Sequence, residues 1–222
     1  MLNKKFSFDT IESFDNHISQ SIPNYLLIHE IITGLTEYFI DNDTNVYDLG
    51  CSKGTLLNRI AEKTNKSDVN YIGIDISNNL LPKTTIKNNI RFINKNLMSN
   101  NLKLSNSSLM FLIFTLQFLP KKNRVLMLKK IYNGLNKGGA LIITEKIYSR
   151  KSIIQDLFTS LYYEFKSKSF TSNEIMSKEK DLRSMMNLMT KKENEEIFRN
   201  AGFKIFDTFF QYYNFIGWIL IK

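Results

Sequence analysis

Between Ile18 and Ile40 apolar residues recur at helical spacing, at Tyr25, Ile28, Ile31, Ile32, Leu35 and Phe39, with Pro23 near the start, where a proline costs least. The pattern predicts one helix leading into the domain. Turn residues Asp41-Asn42-Asp43 end it, and Val46-Tyr47-Asp48-Leu49 follows as a short buried strand. From there the period of the pattern switches repeatedly. Helical spacing covers Gly54–Lys63, Asn78–Lys87 with an interruption at Pro82, and Lys121–Leu135. Strand patterns cover Tyr71–Ile74, Ile90–Ile93, Leu109–Phe114 and Ala140–Thr144, and the unbroken apolar run of Leu109–Phe114 suits a strand covered on both faces. Asn136-Lys137-Gly138-Gly139 reads as a helix stop.

Such alternation predicts an α/β fold with a mainly parallel, seven-stranded sheet and helices on both faces. The end of the chain departs from it. Ala201-Gly202-Phe203 closes a helix, and the strands Lys204–Phe210 and Tyr212–Ile221 stand too close for a crossover helix, so they pair antiparallel. Tyr148–Thr190 is a lysine-rich insertion without Gly or Pro that holds Tyr162, Tyr163, Phe165, Phe170, Met176, Met185, Met186 and Met189. It is read as a helical lid or dimer surface over the sheet's C-terminal edge, its methionines adaptable filler. Residues 1–44 form the N-terminal helical segment of what is read as one domain over 1–222.

Composition narrows the class. The 222 residues are 43% hydrophobic and 13% aromatic, enough for a full core. With no apolar run long enough for a membrane span and no apolar h-region at the N-terminus, a soluble cytoplasmic protein is expected, with no membrane contact. A single cysteine, Cys51, excludes an internal disulfide, and with only His17 and His29 as histidines no metal site is expected. The net charge of +9 suits phosphate-rich partners such as RNA. Lysines and asparagines are spread along the chain without an Arg-rich patch, so nucleic acid is not the favoured partner.

Chemistry concentrates in residues 45–75. Gly50 and Gly54 flank Cys51-Ser52-Lys53 between the first strand and first crossover helix, where a ligand can approach bare backbone and the helix offers unpaired N–H groups to a carboxylate. Asp75 ends the second strand, a position from which a carboxylate accepts both hydroxyls of a ribose. Taken alone, Asp75 also suits a helix N-cap, because Ser77 and Asn78 follow. The turn is one residue out of the Gly-x-Gly-x-x-Gly spacing of dinucleotide sites, and Asp48, two residues before Gly50, would repel a pyrophosphate while suiting a methionyl amino group. S-adenosyl-L-methionine (SAM) is therefore the expected cofactor. Cys51 reads as a loop-lining thiol, and His17 and His29 as surface or core groups.

The sequence resembles the carboxy-S-adenosyl-L-methionine synthase family over nearly its whole length. The anchors include Ser21-Ile22-Pro23-Asn24-Tyr25, Asp48-Leu49-Gly50-Cys51-Ser52, Gly73-Ile74-Asp75, Thr115-Leu116-Gln117-Phe118, Thr144-Glu145-Lys146 and Gln211-Tyr212-Tyr213-Asn214-Phe215. The resemblance implies a class I SAM-methyltransferase (Rossmann-like) fold and synthesis of carboxy-SAM from SAM and prephenate, a small-molecule substrate, for a wobble-uridine modification of tRNA. It also implies that Tyr25, Gly50, Cys51, Ser52, Asp75 and Ile76 contact the ligand.

Three positions depart from the family. Asn96, followed by Leu97, replaces an acid at the adenine; Ile113 replaces a ligand-binding asparagine; and Glu179 replaces an arginine that holds the added carboxylate. Arg183, one helical turn beyond Glu179, is the expected substitute cation. These losses keep two further readings open, an ordinary methyltransferase of a small-molecule or RNA acceptor and a SAM-binding module without catalysis. No residue is a plain general base, Tyr25 and Tyr163 being the nearest.

Overall fold

A computed structural model describes residues 14–83 and 89–222. Strands β1 (Asn45–Leu49), β2 (Asn70–Asp75), β3 (Ile90–Asn94), β4 (Ser107–Ile113), β5 (Leu135–Lys146), β6 (Ile205–Tyr212) and β7 (Phe215–Ile221) form one sheet in the order β3-β2-β1-β4-β5-β7-β6. Pairs from β3 through β5 are parallel, whereas β7 runs antiparallel to both β5 and β6. The α/β class and the antiparallel last strands thus match the expectation from the pattern.

Helices cover both faces because β1, β4 and β5 present apolar residues to each side. On one face Met110, Leu112, Leu141 and Ile143 pack with Met127, Leu128 and Ile131 of α4 (Lys121–Gly134) and Phe198 of α7 (Lys191–Ala201). On the other, Val46, Leu109, Phe111 and Ile142 pack with Ile28 and Ile32 of α2 (Tyr25–Leu35) and Leu56, Leu57 and Ile60 of α3 (Thr55–Lys63). Helices α1 (Phe14–Ser21), α5 (Ser152–Ser167) and α6 (Ser172–Met185) lie around the sheet's C-terminal edge, where their residues line the cavity described below.

Several expectations need correction. The helix expected over Ile18–Ile40 is α1, α2 and a 3-10 turn at Thr36–Tyr38, broken where Asn24 takes a left-handed φ of 57° after Pro23. A proline disfavours helical backbone in the residue before it, here Ile22. Residues 78–83 of the expected helix Asn78–Lys87 are turns and bends at Pro82, and residues 84–88 lie outside those described, as do residues 1–13 of the N-terminal segment. Asn136–Gly139 belongs to β5, which extends the predicted Ala140–Thr144 at both ends and crosses a register irregularity against β4. Phe114 leaves the predicted Leu109–Phe114 strand with φ 53°. The insertion is two helices, α5 and α6; Thr171 and Glu174 form a full capping box at α6, whereas α5 starts after Lys151 without a side-chain cap.

Candidate functional site

The sheet order reverses between β1 and β4, and at such a switch point the loops after the strands' carboxyl ends splay apart and leave a crevice. A cavity of about 910 Å³ opens there. Asp48, Gly50, Cys51 and Ser52 reach it from β1 and its loop, Asp75 and Ile76 from the end of β2, Asn96 and Leu97 from beyond β3, and Ile113 from the end of β4. Tyr25, at the start of α2, closes one side. The residues singled out in 45–75 and around it are thus brought into one wall.

The Gly50 turn depends on glycine. Its φ is +88°, and a Cβ there would stand 2.4 Å from Thr115 Oγ1, inside contact distance. The turn is locked to its neighbour strand by Gly50 N–H donating to the Ile74 carbonyl at 2.7 Å and closed by Gly54 N–H donating to the Cys51 carbonyl at 2.8 Å. Asp75 fastens it from the side, its two carboxylate oxygens each accepting one backbone N–H, from Ser52 and Ser77, both at 2.8 Å. Asp75 is no helix N-cap, because residues 78–83 are turns and bends; it braces the glycine turn instead, and each oxygen keeps a lone pair that a ligand hydroxyl can use.

Asp48 is buried without a basic partner, and desolvation, helped by the nearby Asp75 charge, pushes its pKa up to about 7. Buried Asp48, with the Asp75 charge near it, offers negative charge that the amino group of a methionyl moiety would balance. Asn96 spends its side-chain oxygen on the Met98 N–H at 2.8 Å and retains its amide N–H donors for an adenine ring nitrogen. Leu80 and Leu97 add apolar wall beside it. The donor set fits SAM: acids for the amino group and ribose, apolar surface and an amide for the base.

The motifs beyond the glycine turn hold the other half of the cavity together. Phe114 N–H donates to the Thr144 hydroxyl at 3.1 Å and to its carbonyl at 2.9 Å, which fixes the kink at the end of β4. Gln117 accepts the Lys146 N–H at 2.8 Å, and the fully buried Arg124 donates to the Leu119, Gln117 and Asn187 carbonyls, tying the insertion's return to the sheet. Beside it Glu145 is buried, and desolvation outweighs the Arg124 charge to push its pKa up to about 8.

One expectation fails here. Arg183 is exposed, hydrogen-bonds Tyr163 and is not among the residues lining the cavity, because its face of α6 looks away from it. His29, read as a surface or core group, is buried on α2 and also borders the cavity, its ring 4.2 Å from that of Tyr25. Burial, reinforced by Arg59, lowers its pKa to about 4, so it is a neutral imidazole at pH 7. Its helical spacing from Tyr25 was the available signal. Burial raises the Cys51 thiol well above its ordinary range, so it stays protonated at neutral pH. Among the described residues no group of three His, Cys, Asp or Glu side chains is placed to hold a metal, and no helix is long and apolar enough to cross a membrane.

A methyltransferase-domain family model matches residues 46–139, the segment that builds the glycine turn and carries the sheet through β4. The carboxy-S-adenosyl-L-methionine synthase of Staphylococcus epidermidis is 34% identical over 97% of this chain and 95% of its own. The chain belongs to the carboxy-S-adenosyl-L-methionine synthase family. A second member, from Methylococcus capsulatus, is 31% identical over 94% of this chain and 89% of its own. Human N-acetylserotonin methyltransferase, solved in complex with SAM, shares the fold with a TM-score of 0.56 at 15% identity, over 89% of this chain and 54% of its own. Membership in this family makes the protein a SAM-dependent transferase, and its sheet order is that of the class I methyltransferase fold.

Proposed function

We propose that the protein synthesises carboxy-SAM from SAM and prephenate, in the cytoplasm, as the supplier of a tRNA wobble-uridine modification. The observation that carries this reading is the extent of the cavity. It continues past the nucleoside half, under α5 and α6, to Lys146, Tyr162, Lys178, Met185 and Phe215, and at about 910 Å³ it is near the top of the usual range of roughly 300–1,000 Å³. That is room for a second small molecule beside SAM. Bound SAM supplies an activated methyl group on its sulfonium; the chain's own work is to orient it, exclude water and hold the second reactant within reach. The net change exchanges one C–H bond of that methyl group for a C–C bond to the ring carboxyl group of prephenate; prephenate's C–carboxyl and C–OH bonds break as its ring becomes aromatic, and the hydroxide leaves as water with the methyl proton.

Ile113 and Glu179 favour a second reading, methyl transfer to a small acceptor, because Ile113 cannot make the hydrogen bond of the asparagine it replaces and Glu179 repels the carboxylate that an arginine would hold. Exposed Ile153 and Leu157, one turn apart on α5, support a homodimer through the insertion. Incubating the protein with SAM, with and without prephenate, distinguishes the two reactions. Carboxy-SAM formed only with prephenate supports the first reading; S-adenosylhomocysteine formed from an added acceptor, with no carboxy-SAM, supports the second.

A further inference from the structure

Lys146 is the last residue of β5, opposite Phe215 on β7 and beside the β4 end that carries Ile113. Its side chain lines the cavity and is only 11% exposed, so an ammonium group is held in a largely dry wall. The nearest carboxylate, Glu179 of α6, stands 3.6 Å away, longer than a hydrogen bond, and its Oε1 is buried without a hydrogen-bond partner. The ammonium also lies 4.3 Å from the centre of the Tyr162 ring, while Lys166, 1% exposed, lies 5.5 Å from the same ring. Burial depresses both lysines, with Glu179 pulling each back up, and Lys166 and Arg183 add positive charge around Lys146. Lys146 and Lys166 thus share the charge of one carboxylate, and of the two only Lys146 lines the cavity, so its ammonium is the one that an anion inside the cavity meets.

We propose that Lys146 binds the carboxylate of the second substrate and that Glu179 is its positioning residue, holding the ammonium on the cavity wall. The assignment rests on the reading that the second substrate is a carboxylate. It gives the substitution at position 179 a reason. An arginine there would have been the anion's own ligand; Glu179 instead neutralises and aims a lysine that β5 already supplies. Arg183, turned to Tyr163, is not needed for the contact.

The test measures prephenate binding to protein saturated with S-adenosylhomocysteine, alongside turnover with SAM and prephenate, for the wild type, Lys146→Met, Lys146→Arg, Glu179→Gln and Glu179→Asp. Lys146→Met should weaken prephenate at least tenfold in Kd and KM with SAM affinity changed less than twofold, and Lys146→Arg should recover part of the loss. Glu179→Gln should raise the prephenate KM several-fold at unchanged SAM affinity, with Glu179→Asp closer to wild type, a split that a merely structural residue would not produce. If the wild type turns over but Lys146→Met keeps its prephenate KM, the assignment falls and the proposed reaction stands. If the wild type makes no carboxy-SAM, the reaction falls, and the binding comparison still decides: prephenate lost with Lys146→Met upholds the assignment, and equal or absent binding in both proteins overturns it. Should Lys146→Met fail to fold, Lys146→Arg and Glu179→Gln carry the same comparison.

Discussion

The side-chain oxygen of Gln117 accepts the backbone N–H of Lys146 at 2.8 Å, so the turn after β4 sets the height at which β5 delivers its last side chain to the cavity. The bond is part-buried. Removing the acceptor leaves an amide unpaired, at about 1–3 kcal/mol.

Gln117→Leu is accordingly expected to lower stability by about 2 kcal/mol in urea unfolding. It should also raise the KM for the second substrate more than the Kd for SAM, because the displaced residue is Lys146 and the glycine turn is untouched.

Asp48 predicts a pH dependence. Its pKa near 7 means that below neutrality the empty site holds a proton that a cationic amino group must displace. SAM affinity should fall as pH drops below about 7, by up to tenfold per unit, and Asp48→Asn should bind more weakly with a flat profile; titration calorimetry from pH 5.5 to 8 reads both. For stability the sign runs the other way. The folded protein holds this proton to a higher pH than the unfolded chain does, so the contribution is fully present below the ordinary aspartate range and is lost as pH rises through about 7.

Restoring the family's arginine should not restore a family-like site. Glu179→Arg would place a fourth cation beside Lys146, Lys166 and Arg183, and breaking a largely buried ion pair costs about 3 kcal/mol. A lower melting temperature and no gain in activity are expected.

Gly50→Ala should abolish SAM binding or weaken it severely. The φ of +88° alone costs a Cβ-bearing residue roughly 1–2 kcal/mol, and the 2.4 Å approach to Thr115 forces the turn to move. Equilibrium dialysis with SAM measures the loss, and Gly34→Ala, on α2 where a Cβ meets nothing, is the matched control.

Local chemistry made much of this site legible in the sequence. The glycine turn, Asp48 and Asp75 are read from residues close in the chain, and the switch point brings Asn96 and Ile113 beside them because strand ends share an edge. The break at Asn24 was less legible, since apolar spacing runs on through Pro23 and a single left-handed residue redirects the helix. Thr171-x-x-Glu174 and Thr190-x-x-Glu193 announce the starts of α6 and α7 in plain capping-box form. What the chain could not announce is which face of α6 meets the cavity. Periodicity places Glu179 and Arg183 one turn apart, but only docking against β5 sets Glu179 beside Lys146, and Arg183 toward Tyr163. The position of His29 depends likewise on how α2 meets β1.

The central claim is tested most directly by following label. With SAM and prephenate carrying carbon-13 in both of its carboxyl groups, the account predicts a SAM-derived product, seen by mass spectrometry, whose new carboxyl carbon is carbon-13 and which is absent without prephenate. Turnover of SAM to S-adenosylhomocysteine with no labelled product, or no turnover beside normal SAM binding, would contradict it.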